Sequence, residues 1–178
     1  IGSCATCDGP LFRDRNIAIV GTGNSGIQEG LFLLKFVKHI TFVEMLPHMI
    51  AEDILQKRIA EFDNVDFKLG HKITKLSGDP FVQSMEIESL ETGDKSSIDV
   101  DGVFVFIGYD PNTSFLGDLV KLDKKGFIEA DDRDLSTSVP GLFAAGDVRN
   151  KLLRQVSTAV GDGAQAVHSV QMFLENLE

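Results

Sequence analysis

Gly21-Thr22-Gly23-Asn24-Ser25-Gly26 follows directly on the apolar run Ile17-Ala18-Ile19-Val20. This junction limits the folds open to the chain more than any other stretch. A short, uninterrupted apolar run suits a strand buried on both faces, as in a parallel sheet. The residues after the glycines carry apolar side chains at helical spacing, with Ile27, Leu31 and Leu34 on one face and Phe32 and Leu33 widening it. Ile40-Thr41-Phe42-Val43 then reads as a second strand that ends at Glu44. Strand, glycine turn, helix and strand in that order make a β-α-β unit, the context in which G-x-G-x-x-G signals dinucleotide binding. Gly21 permits the tight turn, Gly23 lets the backbone approach a pyrophosphate, and Gly26 lets helix and strand pack closely. At Asn24 and Ser25 the helix begins, and its unpaired N–H groups face the phosphate oxygens. A glycine turn without a ligand is the alternative.

Glu44 lies close to the ~20-residue offset expected of a ribose-binding acid. Its carboxylate can accept from the 2′- and 3′-hydroxyls and repels a 2′-phosphate. Nothing basic stands in Met45-Leu46-Pro47-His48-Met49-Ile50 to hold such a phosphate, so the pattern selects NADH over NADPH. A solvated glutamate at a strand end is the competing explanation.

Further along, Ile54, Leu55, Ile59 and Phe62 suggest a helix, and residues 65–69 a third strand. Between Ile73 and Val100 the pattern alternates, as in an antiparallel meander, before Gly102-Val103-Phe104-Val105-Phe106-Ile107-Gly108 returns to a buried strand. A boundary is expected near Tyr109. The last helix is expected from about Gln155 to Leu177, with Ala159, Ala166, Val170, Phe173 and Leu177 among its apolar positions.

The net charge of −10 argues against nucleic acid and against an anionic membrane surface, both of which attract basic faces. No apolar run approaches the ~20 residues that span a bilayer. The two cysteines lie in a single Cys4-Ala5-Thr6-Cys7 step, and the four histidines have no ligand spacing. A C-x-x-C pair beside a β-α-β pattern reads as redox-active, and the cytoplasm is the expected compartment. Asp8 follows directly and could move a proton to or from a sulfur. An inert pair or half a metal site, with Asp8 a turn residue before Gly9-Pro10, are the alternatives.

Cys4-Ala5-Thr6-Cys7-Asp8-Gly9, Gly21-Thr22-Gly23-Asn24-Ser25-Gly26, Ile107-Gly108-Tyr109-Asp110-Pro111-Asn112-Thr113 and Val139-Pro140-Gly141-Leu142-Phe143-Ala144-Ala145-Gly146-Asp147-Val148 occur in that order. With these four motifs in register the chain resembles the later part of low-molecular-weight thioredoxin reductases. The resemblance implies an α/β fold: a Rossmann-like, three-layer nicotinamide-binding domain with a β-meander over residues 1–109, carrying the redox pair. Residues 110–178 would form the C-terminal part of an FAD-binding domain. It also implies FAD as a second cofactor and electron flow from the nicotinamide through FAD and the Cys4–Cys7 disulfide to a protein disulfide. Cys7 would be the sulfur nearest the flavin, Cys4 would attack the partner, and Asp8 would be the acid/base. Gly108 would be a further cofactor-binding residue, while Gly146, Asp147, Arg154, Gln155 and Val156 would lie against the flavin. A homodimer is implied for the whole enzyme.

Two departures stand out. Where NADPH-using members carry a His-Arg-Arg run and a further Arg, this chain has Glu44, Met45, Leu46 and Ile50. That stretch, like Asp8-Gly9-Pro10-Leu11-Phe12, is closer to the NADH-using flavoprotein subunit of alkyl hydroperoxide reductase, whose partner is a dithiol module serving a peroxiredoxin. The second departure is that 21–26 is the sole G-x-G-x-x-G in the sequence, so the FAD fingerprint that opens the family's chains is missing and a fragment is expected. Three functions compete: a thioredoxin reductase, the reductase of a peroxide-detoxifying system, and a non-catalytic nicotinamide-binding piece. A variant of the first takes electrons from ferredoxin or reduced flavin.

Overall fold

A computed structural model describes residues 1–177. The chain divides into two compact units, Ile1–Gly108 and a second that begins at Tyr109.

In the first unit, β1 (Asn16–Val20), β2 (His39–Glu44), β3 (Val65–Leu69) and β7 (Gly102–Val105) form a parallel sheet of order β3-β2-β1-β7. Strands β4 (His71–Ser77), β5 (Ser84–Ser89) and β6 (Lys95–Asp99) form the antiparallel meander. Helices α1 (Ala5–Asp8), α2 (Asn24–Leu33) and α3 (Asp53–Ile59) complete the unit. Alternation along β1 explains the layering. Ile17 and Ile19 pack with Ile27, Leu33 and Phe42 on the helical side, whereas Ala18 joins Val43, Val103, Met85 and Ile87 on the side of the meander. Both faces of the sheet are covered, which is why its strands are continuous apolar runs.

The helices follow the pattern with corrections. On α2 the buried face is Gly26, Ile27, Gly30 and Leu33, while Leu31 and Leu34 are only partly covered. Gly30 is on that face because the ring of Phe42 occupies the space a Cβ would need. Helix α3 stops at Ile59; Ile54 is 71% exposed and Phe62 lies past the helix end. Strand β7 is shorter than expected. Phe106 N still donates to Val20 O at 2.8 Å, but the chain then leaves the sheet and Gly108 takes φ +95°.

The second unit has a small core of Val120, Ile128 and Ala144, bracketed by isolated β-bridges. Its main element is α4 (Val156–Glu175), capped by Gln155. The face of α4 turned to its own unit includes Ala159, Asp162, Ala166 and Ser169, a stripe of small and polar groups, and ends on Phe173. The expected apolar positions Val170 and Leu177 are exposed instead, as are Val156, Val160 and Val167. Helical spacing identified the element but not the side that its unit covers. Among the described residues, no helix is long and apolar enough to cross a membrane.

Candidate functional site

The carboxyl ends of β1, β2 and β7 converge on a cleft of about 320 Å³ lined by Gly21, Gly23, Asn24, Ser25, Glu44, Ile50, Phe106, Ile107 and Gly108. From β1 the chain proceeds to β2 on one side, while β7 flanks it on the other. Ligands of open α/β sheets bind at such a switch point, outside the carboxyl ends.

The glycines perform different tasks. Gly21 has φ +101°, and a Cβ there would strike the carbonyl oxygen of Phe106. Gly26 is buried away from the cleft, where a Cβ would collide with the Gly21 carbonyl. A Cβ at Gly23 would meet only Ile50, at 3.7 Å, so this position leaves the backbone approachable from outside. Gly23 caps the ten-residue α2 without a side-chain bond to its first amides. An open backbone turn at the start of a helix fits a pyrophosphate.

Glu44 is tied into this turn. Thr22 donates to it twice, from N at 3.0 Å and from Oγ1 at 3.1 Å, and Leu46 N donates to its other oxygen at 3.2 Å. Partial burial works against ionisation, but the donors from Thr22, Leu46 and Met45 outweigh it and hold the carboxyl below its ordinary value. Glu44 is thus an anion at neutral pH that braces the glycine turn as well as lining the cleft. Asn24 is engaged too: Glu52 N donates to its side-chain oxygen at 2.8 Å, and its amide donates to the Glu52 carboxylate at 3.1 Å. With Ala51 N bonded to Thr22 O at 3.0 Å, these ties fold residues 45–52 over the turn and bring Ile50 to the cleft. Glu52 and Phe106 carry no motif, so the sequence offered no signal for them.

Cys4 and Cys7 form a disulfide across α1. Cys4 is the N-cap; Cys7 N donates to its Sγ at 3.2 Å, and Thr6 Oγ1 lies 3.4 Å from the same sulfur. Ala5 between them is fully buried against α2. Upstream, Gly2 joins the free edge of β7, donating to Val103 O at 2.8 Å and accepting from Val105 N at 3.0 Å. Glycine is needed there: a Cβ would lie 2.9 Å from the Phe104 ring and 3.0 Å from an Asp8 carboxylate oxygen. The sheet edge therefore anchors the disulfide segment, and Asp8 folds back over Gly2.

In the second unit, Gly146 has φ +84°, and its neighbour Asp147 presents an exposed carboxylate with no protein donor among the described residues. Arg154 is fully employed by the protein. It donates to the carbonyls of Asp147, Lys151 and Arg149 at 3.1–3.3 Å and stacks on Phe127 at 3.9 Å. Gln155 caps α4 in a reciprocal box with Thr158, and Val156 is 82% exposed. An unengaged acceptor beside a glycine turn, with an exposed apolar residue at a helix start, fits a hydroxylated chain attached to a flat ring system.

The profile of the family described as pyridine nucleotide-disulphide oxidoreductase matches residues 3–163, and the chain belongs to that family. Among its curated relatives are the F subunits of alkyl hydroperoxide reductase from Staphylococcus epidermidis and Staphylococcus aureus. Each is 40% identical over 166 residues, or 93% of this chain and 32% of theirs. Among solved structures, thioredoxin reductase from Streptococcus pyogenes MGAS5005 is 41% identical with a TM-score of 0.89, and the match covers 98% of this chain and 57% of that one. The Giardia duodenalis enzyme matches at 27% identity and a TM-score of 0.84, over 98% of this chain and 57% of its own. The chain thus spans about a third of the curated relatives and just over half of these structures.

Proposed function

We propose that this chain supplies the nicotinamide site and the redox disulfide of a thioredoxin reductase-like enzyme, using NADH in preference to NADPH. Residues 1–109 are the nicotinamide-binding domain and 110–178 the C-terminal part of an FAD-binding domain. The observation that carries this reading is the Cys4–Cys7 disulfide in the same compact unit as the glycine-turn cleft. FAD, when bound, supplies the two-electron relay between nicotinamide and disulfide.

The chain's own residues do the rest. Gly23 and the start of α2 receive the pyrophosphate, Glu44 the ribose hydroxyls, and Gly108 leaves room beside them. Asp147, with Gly146 and the 154–156 segment, holds the flavin side. Two electrons and one proton break the Cys4–Cys7 bond; Asp8 gives the proton to Cys7, and Cys4 remains a thiolate. Cys4 then attacks a partner disulfide, forming a mixed disulfide and expelling the partner's other sulfur. Cys7 returns its proton to Asp8 and attacks Cys4, releasing the reduced partner and restoring the bond.

The partner is a thioredoxin-like protein. A second reading, the dithiol module of a peroxiredoxin system, is favoured by Glu44-Met45-Leu46 and by the identity to the F subunits. The assembly is a cytoplasmic homodimer. In the FAD-loaded product of the full gene, Cys4→Ser or Cys7→Ser should abolish reduction of the partner and leave NADH affinity unchanged. Turnover surviving both substitutions removes the pair from the route. Stopped-flow reduction of thioredoxin against the peroxiredoxin module separates the two partners.

A further inference from the structure

Asp162 stands on the second turn of α4 in none of the motifs, yet it gathers more donors than any other carboxylate among the described residues of its unit. Its Oδ2 accepts from Gly146 N at 2.9 Å, Arg149 Nε at 2.8 Å and Lys151 Nζ at 2.8 Å; Oδ1 accepts from Arg149 Nη2 at 3.2 Å. The cationic side chains are nearly buried, at 8% exposure for Arg149 and 7% for Lys151, with Asp162 at 11%. Arg149 continues through Nη1 to Asp132 and to the carbonyl of Asn150. A buried carboxylate must be paired or it neutralises, and here the pairing has a specific shape. All three donor residues come from 146–151, the segment that contains Asp147.

We infer that Asp162 is a positioning residue that fixes the Gly146–Asp147 turn so that Asp147 meets the flavin. The inference rests on the proposed role of Asp147. Asp162 holds the turn from the helix side, through the Gly146 amide and two cations. Arg154 holds it from the other side, through the carbonyls of Asp147, Arg149 and Lys151. Between the two clamps the Asp147 carboxylate is exposed and, among the described residues, accepts no protein hydrogen bond. A network serving stability alone has no need to engage the Gly146 amide, the group adjacent to the residue being aimed. The Asp162 contact sets the peptide plane between Gly146 and its predecessor, in a left-handed conformation that glycine alone adopts without strain.

The test uses the FAD-loaded product of the full gene, with FAD itself as the probe. Asp162→Asn should weaken FAD at least tenfold, and the flavin still bound should change its visible circular dichroism and its fluorescence. Asp132→Asn, at an 86% exposed side chain, should change FAD affinity less than twofold. Asp147→Asn should weaken FAD directly. If Asp147→Asn loses FAD while Asp162→Asn keeps wild-type affinity and dichroism, even at a lowered melting temperature, the positioning role is overturned and the flavin role of Asp147 stands. If Asp147→Asn also retains FAD, the parent reading fails and takes this one with it. Should Asp162→Asn not fold, Lys151→Gln, which removes one of the three donors, is expected to weaken FAD about threefold with the same dichroic change; no change overturns the proposal.

Discussion

The two units of this chain solve the same problem with different materials. The first buries a parallel sheet between helices and a meander, and its core is Ile, Phe, Val and Met packed on both faces. The second has a smaller apolar core, clustered on Val120, Ile128 and Ala144, and beside it a nearly buried ionic network around Asp162, Arg149 and Lys151. Apolar packing is insensitive to pH and fails when volume changes. An ion network is indifferent to small changes of volume and fails when its carboxylate is protonated. The units should therefore break under different stresses.

The largest effect is expected from volume in the first unit. Gly26→Ala puts a methyl group into the Gly21 carbonyl, and overpacking of this kind costs about 1–3 kcal/mol or more. Chemical denaturation should show that loss together with weakened NADH binding; a wild-type midpoint would mean that the turn yields. Next comes acid. The cationic neighbours hold the Asp162 carboxyl far below the ordinary value, with Arg149 the main cause. Its folded-state pKa lies below its unfolded one, so its contribution is complete above about pH 4 and is lost as pH falls below that. The protection factor of the Gly146 amide should fall in acid before those of β1, and a parallel fall would erase the contrast.

Smaller effects sharpen the comparison inside the first unit. Glu44→Ala should weaken NADH by roughly 1–3 kcal/mol, about the cost of unpairing a charged hydrogen bond. Because Glu44 also braces Thr22, Glu44→Gln should recover part of the turn's stability but little of the affinity, measured by calorimetry alongside thermal melts. The smallest effect concerns Glu29, whose carboxyl burial pushes up, partly offset by a hydrogen bond from the Ala5 amide. A raised folded pKa favours the fold below the unfolded value and costs stability as pH rises through the folded one. Glu29→Gln should raise the melting temperature slightly at pH 7 and not at pH 4; a gain at both would place the cause elsewhere.

Much of the first unit was legible along the chain because its signals are local. A strand covered on both faces has to be apolar throughout, a tight turn has to be glycine, and a meander has to alternate. β1, β2 and the three meander strands follow from those rules. Gly21, Gly23, Asn24, Ser25 and Glu44 line one cleft for the same reason, since the motif that names them also dictates the crossover joining them. The extent of β7 and the ends of α3 were not legible. They depend on where Phe106 turns from the sheet and on which side of Ile54 another element lies.

By itself the sequence determined the β-α-β unit, the acid at the end of β2 and the adjacency of Cys4 and Cys7, because each is written within a few neighbouring residues. Tertiary structure alone decided that Asn24 would be spent on Glu52 and that Asp162 would collect a glycine amide and two cations from a turn more than ten positions upstream. Those contacts depend on directions in space, which the closing of the turns and the packing of helices fix and which residue order does not record.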